Sequence, residues 1–518
     1  DDWLFAKVGS DSELVNRRYK SEYLRYDIVS GLTVGIVAIP QGMANSLMAN
    51  MPPVYGLYGA IMPVLFHSLF TSSRHIHVGP YAVCSLMCAS LLSFIDHEHN
   101  EAEFNVGILT IAFLSGVFLI LLGVLKLGGI TRILSNAVVT SFTSSSAIQI
   151  IACQLGGFLD VSTGSGSTLS QFKNLFSPTI IAKYNYYALI IGISSTILLF
   201  IGKYLNKRFC PKMPLPIELF LVILYIFLVW AFDLKQRWNI KLIGDTPTIS
   251  GFPPLSSPSP RLMLRLLPGS VMIAIVCFST YISVAKAFAQ QFDYHVDDSQ
   301  ELVALGVSQL GGAFFSGIPG TCSITRSSIA ANLGVRSPVF SLVALMVVLS
   351  CLLFCMDLIA FLPKAVLTSI VIVNLVNMLK RFHLLPRFYR TCRPDFWSFG
   401  LCTVVLVVAG AEYGLVAGVA GSLLLLLLAV KTTKKEVLQP LEGEVGGVVV
   451  DAGDFVHFLN CDTLVNRVNK ELHTVGVRGG CHVQKSKDPV CVDLRRVSYI
   501  DTSGLNVIAV GLRRRDDG

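Results

Sequence analysis

Charge is what this 518-residue chain has little of. Only 14% of its residues are Asp, Glu, Lys or Arg, while 53% are hydrophobic. A soluble protein carries roughly a quarter charged residues, so a large soluble enzyme with buried helices is set aside. Metal-ligand spacing is also lacking. The 13 cysteines include no CxxC pair and no His/Cys cluster, which leaves reduced, packed thiols and excludes a disulfide framework. No P-loop, no GxGxxG after a strand and no catalytic triad arrangement stands out, so we expect no enzyme, cofactor or metal. The first apolar run follows about 27 polar, basic residues and lacks a small-residue cleavage site. It reads as a retained span.

What is present is a series of apolar runs near the roughly 20 residues needed to cross a bilayer. Counting interrupted runs as spans predicts fourteen, near 28–48, 53–70, 80–94, 107–125, 131–153, 186–204 and 214–232, then 268–290, 300–317, 322–332, 337–356, 358–378, 396–411 and 414–430. With the N-terminus cytoplasmic, this count puts Lys203, Lys207, Arg208 and Lys212 inside, together with Lys380, Arg381, Arg387, Arg390 and Arg393. It puts Asp96, Glu98, Glu101 and Glu103 outside, as the positive-inside rule requires. The net charge of +8 thus reflects topology and calls for no nucleic acid.

Two of these segments are unusual. His75 to Val78 is β-prone, Gly79-Pro80 breaks the chain, and a short apolar helix is predicted to begin at Pro80. The second half repeats the pattern: Gly317-Ile318-Pro319-Gly320 precedes a short segment at 322–332. First-turn amides lack intrahelical acceptors, so at membrane depth such breaks must line an enclosed cavity. A helix N-terminus there attracts anions. Short, Gly/Pro-interrupted segments at matching places in two halves point to the binding site of an inverted-repeat transporter. Seven spans per half is odd, so the halves are inverted relative to one another.

After Val430 the composition changes. Lys431 to Val445 reads as a linker; 446–459 and 489–500 read as strands, and 461–472 as an amphipathic helix. The predicted organisation is a cytoplasmic segment 1–26, a transmembrane domain 27–430, the linker 431–445 and a small cytoplasmic α/β domain 446–518, which stops abruptly.

Several stretches together resemble the sulfate permease (SulP) family. They are Asp27 to Gly35, Ile39-Pro40-Gln41-Gly42, Pro52 to Tyr58, the block Thr71 to Met87, Gln300 to Gly306, and Asp501-Thr502-Ser503-Gly504-Leu505, whose turn marks an appended STAS domain. The resemblance implies an α-helical membrane protein of 14 spans, built as a 7+7 inverted repeat with core and gate domains. It also implies a homodimer, held through STAS and membrane domains, that exchanges small inorganic or organic anions such as chloride, bicarbonate, sulfate or oxalate by elevator-like alternating access in the plasma membrane. The turn at Asp501 reads equally well as a helix cap. A channel-like conductance, a voltage-responsive motor and a STAS-based scaffold stay open as alternatives.

The candidate anion site draws on both half-helices. Tyr81, Ala82 and Val83 open the first, and their amides face the cavity if the break is real. Ser323, Ile324, Thr325 and Arg326 open the second. A buried cation there costs several kcal/mol unless paired or hydrated. Arg326 thus either supports an anion, which is the position the family resemblance implies, or pairs with a carboxylate, for which Glu218 and Glu412 are the main candidates. Gln41 and Asn45 lie four residues apart on one face of the first span, where amides donate to an oxyanion without net charge. The alternative for both is an interhelical hydrogen bond. Gln41 matches the family's PQG motif, whereas many relatives carry an aromatic residue at the position of Asn45. In proton-coupled relatives a glutamate lies on the eighth span; the aligned residue here is Thr280, which argues for anion exchange over proton symport.

Overall fold

The computed structural model describes residues 21–95, 100–128, 136–161, 168–209, 216–245, 251–391 and 393–432, together with four short strands beyond them. Among the described residues the apolar runs carry helices. In chain order these are α1 (Leu24–Met48), α2 (Pro53–Tyr58), α3 (Met62–Phe70), α4 (Ala82–Leu91), α5 (Glu101–Val124), α6 (Asn136–Phe158), α7 (Tyr186–Phe209) and α8 (Ile217–Phe232). The second half holds α9 (Pro260–Gln291), α10 (Asp298–Phe314), α11 (Ile324–Asn332), α12 (Val339–Phe354), α13 (Lys364–Leu379), α14 (Arg393–Ala409) and α15 (Ala411–Thr432). Among the described residues seven helical stretches are long and apolar enough to cross a membrane, Pro53–Phe70 being counted as one of them, and the chain is a multi-pass membrane protein. The run at 53–70 is two helices, because Gly59 to Ile61 breaks it and Pro63 restarts it.

The chain divides into two compact units. The first comprises 1–131, 146–379 and 407–412, and the second 132–145, 380–406 and 413–518. In the first unit α5 packs along α10, and α1 along α12. Glycines make these approaches close: Gly42 of α1 and Gly56 of α2 face one another, and a Cβ on Gly56 would lie 2.0 Å from the Gly42 carbonyl oxygen. In the second unit Ser141 donates to the Phe399 carbonyl at 2.8 Å, and Phe399 packs with Ala137 and Phe388.

Within the first unit, two strands of three residues each, β1 (Val78–Pro80) and β2 (Gly320–Cys322), pair antiparallel. The expected helix start at Pro80 is therefore corrected: Pro80 pairs with Gly320 in the ladder, and α4 begins at Ala82. The second short helix likewise begins at Ile324 instead of 322, because Cys322 pairs with Val78. At the other end of the chain, α1 begins at Leu24, ahead of the expected boundary at 27.

In the second unit, β3 (Val449–Asp451) pairs parallel with β5 (Cys491–Asp493), and β4 (Phe455–Val456) with β6 (Tyr499–Ile500). These strands lie inside the two predicted β segments. Parallel pairing requires a crossover between them. The predicted helix 461–472 and the turn at Asp501 lie outside the described residues, as does the linker from 433 onward.

Candidate functional site

The β1–β2 ladder joins the two chain breaks directly, and each strand runs into a half-helix. Gly79 pairs with Thr321. Its φ of +154° is one that L side chains rarely adopt, and a Cβ there would stand 2.8 Å from Arg326 Nη2. Glycine at 79 thus serves both the backbone and the guanidinium beside it. Side chains behind β2 hold it in place. Thr321 Oγ1 donates to the Cys277 carbonyl at 2.6 Å, and Gln309 Nε2 donates to the Gly320 carbonyl at 2.6 Å.

Tyr81 is the N-cap of α4 in an extended conformation, half-buried, with Ala82 also half-buried and Val83 fully buried. The Tyr81 carbonyl accepts from Ser85 N–H, which leaves the first-turn amides of Ala82 and Val83 as donors at the mouth of the helix. At α11 the donors are fewer than expected. Ser323 N–H donates to the His77 carbonyl at 3.1 Å, and the Ser323 hydroxyl accepts from Arg326 N–H at 3.5 Å. The amides of Ile324 and Thr325 remain in the first turn; the Ile324 side chain is half-buried and that of Thr325 exposed.

Arg326 is 1% exposed, among the largest fully buried side chains, and its Nε and Nη2 have no hydrogen-bond partner. Among the described residues no carboxylate pairs with it. Glu218, expected as a possible partner, is instead 3.0 Å from Lys203 Nζ, because α7 and α8 are adjacent helices. The side chain of Glu412 lies outside the described residues.

Gln41 is buried on α1, one residue after Pro40, and makes no side-chain hydrogen bond among the described residues. Asn45 Nδ2 donates to the Pro80 carbonyl at 2.8 Å, so α1 is tied to the end of β1. Thr280 is buried on α9, and its carbonyl lies 3.7 Å from Cys322 Sγ of β2. The structure therefore brings Asn45, Tyr81, Ala82, Ser323 and Arg326 to one crossing, with Thr280 on the helix behind it.

Sequence reasoning missed a second buried carboxylate. Glu301 of α10 is 0% exposed and accepts from Thr71, Ser72 and Tyr281. Its signal was the Gln300-Glu301-Leu302 run at the start of a span. Asp27, buried at the start of α1, accepts from Ser337 Oγ at 2.6 Å and was likewise not read as a buried carboxylate.

Comparison with known proteins gives one answer. The model of the Sulfate permease family matches residues 24–402. Prestin of Homo sapiens is 31% identical over 441 residues, covering 81% of this chain and 59% of that protein. The chain thus spans less than two thirds of that relative's length. Murine Solute Carrier 26 family member A9, described as an anion transporter in the inward-facing state, superposes with a TM-score of 0.78 at 23% identity, covering 100% of this chain and 88% of that one. The transmembrane domain of the cyanobacterial bicarbonate transporter BicA superposes with a TM-score of 0.64 at 18% identity, covering 77% of this chain and 98% of that domain. The last two share the fold. Taken with the motifs and the paired half-helices, the matched residues make this chain a member of the sulfate permease family.

Proposed function

We propose that the protein is a secondary transporter that exchanges small anions of the chloride, bicarbonate, sulfate and oxalate class. The anion is held between the N-termini of α4 and α11, touching the amides of Ala82, Val83, Ile324 and Thr325, with Gln41 donating from α1. One observation carries this reading. Arg326, fully buried, has two donors without a partner and no carboxylate beside it among the described residues. A guanidinium in that state is costly in an apolar interior unless an anion or water answers its charge. The helix dipoles add positive potential at the same point. The two structural neighbours, an anion transporter and a bicarbonate transporter, are in keeping with that substrate class.

The fourteen helical runs constitute, on this reading, a 7+7 inverted repeat in which the domain carrying the crossing moves as an elevator. Residues 446–518 belong to a cytoplasmic STAS domain, and the working particle is a homodimer in the plasma membrane, surrounded by lipid. Thr280, in the place of a carboxylate, favours exchange over proton symport. The test is radiotracer uptake of chloride, sulfate and oxalate into voltage-clamped proteoliposomes, with and without an anion inside. Uptake that requires the internal anion supports exchange. Uptake that runs equally well without it identifies an uncoupled conductance, and no uptake of any anion overturns the reading.

A further inference from the structure

The anion site makes no direct use of two sequence features, the Thr71-Ser72 that open the block 71–87 and the Glu301 that opens α10. The structure joins them. Thr71 Oγ1 donates to Glu301 Oε2 at 2.9 Å, and Ser72 donates to Oε1 twice, from its backbone N–H at 2.8 Å and its hydroxyl at 2.6 Å. Tyr281 of α9 donates its hydroxyl proton to Oε2, and its oxygen accepts in turn from His67 Nε2–H of α3 at 2.8 Å. Glu301, Tyr281, Thr71 and His67 are all buried. Every polar group on this carboxylate is a donor, and no cation pairs with it among the described residues. Glu301 also lies in the first turn of α10, where the helix N-terminus favours negative charge. Every contact on it thus uses the carboxylate as an acceptor, and these hydrogen bonds compensate its burial.

The far end of the same strap is also tied. His77 N–H donates to Ser327 Oγ at 3.0 Å, and the His77 carbonyl accepts from Ser323 N–H at 3.1 Å, immediately before β1. Between the ends, His75 stacks on Phe292 with ring centroids 4.2 Å apart. The segment 71–77 is thus held at the carboxylate on one side and at the second half-helix on the other.

We propose that Glu301 is a positioning residue for the anion site: its carboxylate fixes the start of the 71–77 strap, and through the strap the register of β1 against β2 and the spacing of the two half-helix N-termini. The affinity consequence rests on the anion-transport reading; the register consequence does not.

The experiment compares the full chain with E301Q, E301D, T71V and Y281F. Glutamine keeps one acceptor but turns an amide N–H₂ toward groups that donate, whereas aspartate keeps the carboxylate one methylene short. Hydrogen–deuterium exchange of the peptides covering 76–80 and 320–327 reads the register. The apparent KM and maximal rate for chloride and sulfate uptake read the site. In E301Q we expect faster exchange in both peptides and a KM raised roughly three- to tenfold, with the maximal rate changed less. E301D is expected to recover part of both effects, and Y281F combined with E301Q to add little to E301Q alone. Should E301Q fail to fold, T71V and Y281F each remove a single donor and are read in the same way. Unchanged exchange of both peptides in every variant that folds overturns the inference, and so does faster exchange with an unchanged KM. Exchange decides the register even in a protein that moves no anion, so the failure of this inference and that of the transport reading are separate results.

Discussion

Arg326 and Gly79 are fitted to one another: the guanidinium Nη2 occupies the space that a Cβ on residue 79 would reach, at 2.8 Å. Gly79→Ala is expected to displace the guanidinium and to strain a backbone with φ of +154°. Strain of this kind costs about 1–3 kcal/mol. We expect anion uptake to fall at least roughly tenfold and the melting temperature by a few degrees. Uptake in proteoliposomes and thermal melting in detergent check this, and wild-type values for both would refute the fit.

Arg326→Gln removes positive potential while leaving the half-helix backbone in place. The apparent affinity for anions is expected to weaken by roughly tenfold or more, with the protein still folded. Arg326→Glu is expected to be worse, since it reverses the local field. Affinities measured for several anions provide the check; if they do not change, Arg326 is not supporting the site.

On the exchange reading proposed above, transport is expected to follow a counter-anion on the opposite side more than a pH gradient, because α9 carries Thr280 at the position where the family resemblance puts the glutamate of proton-coupled relatives. The measurement is uptake with voltage clamped and no exchangeable anion inside. A proton gradient that drives uptake under those conditions contradicts the expectation. An effect of pH with bicarbonate present does not, because bicarbonate concentration itself follows pH.

Glu218 and Lys203 make a prediction about stability. The Glu218 side chain is 7% exposed and that of Lys203 is 36% exposed, at 3.0 Å, and Lys203 Nζ also donates to Asn374 Oδ1 at 2.8 Å. Removing the carboxylate leaves a half-exposed cation that solvent and Asn374 partly compensate. Glu218→Gln is therefore expected to destabilise by only about 1–2 kcal/mol. Thermal melting checks it, and Arg326-dependent affinity is expected to stay as in the wild type.

How much of this was legible in the sequence depends on the range of the interaction. The apolar runs were legible because membrane helices carry their signal within one segment. The two chain breaks were legible because Gly79-Pro80 and Pro319-Gly320 punctuate apolar surroundings. Their pairing was not, since strands of three residues have no period of their own, and Val78 meets Cys322 only after the whole chain has folded. The hydrogen bond from Asn45 to Pro80 was hidden for the same reason. Glu301 was not singled out because nothing local to the Gln300-Glu301-Leu302 run shows which groups meet it. Its donors come from Thr71, Ser72 and Tyr281, on two other segments. Glu218 was considered for Arg326 because acidic residues in spans are few; a lysine on the neighbouring helix claims it.

The two ends of the site are stitched to one another by main-chain hydrogen bonds between Val78–Pro80 and Gly320–Cys322. Such bonds depend on glycine where the backbones touch, at Gly79 and Gly320, and are braced from behind by Thr321 and Gln309. A substitution at Tyr81 can therefore reshape the opening without breaking a rung of the ladder, whereas one at Asn45 also cuts a tie to the Pro80 carbonyl. A change in the lining then requires no refolding of the ladder.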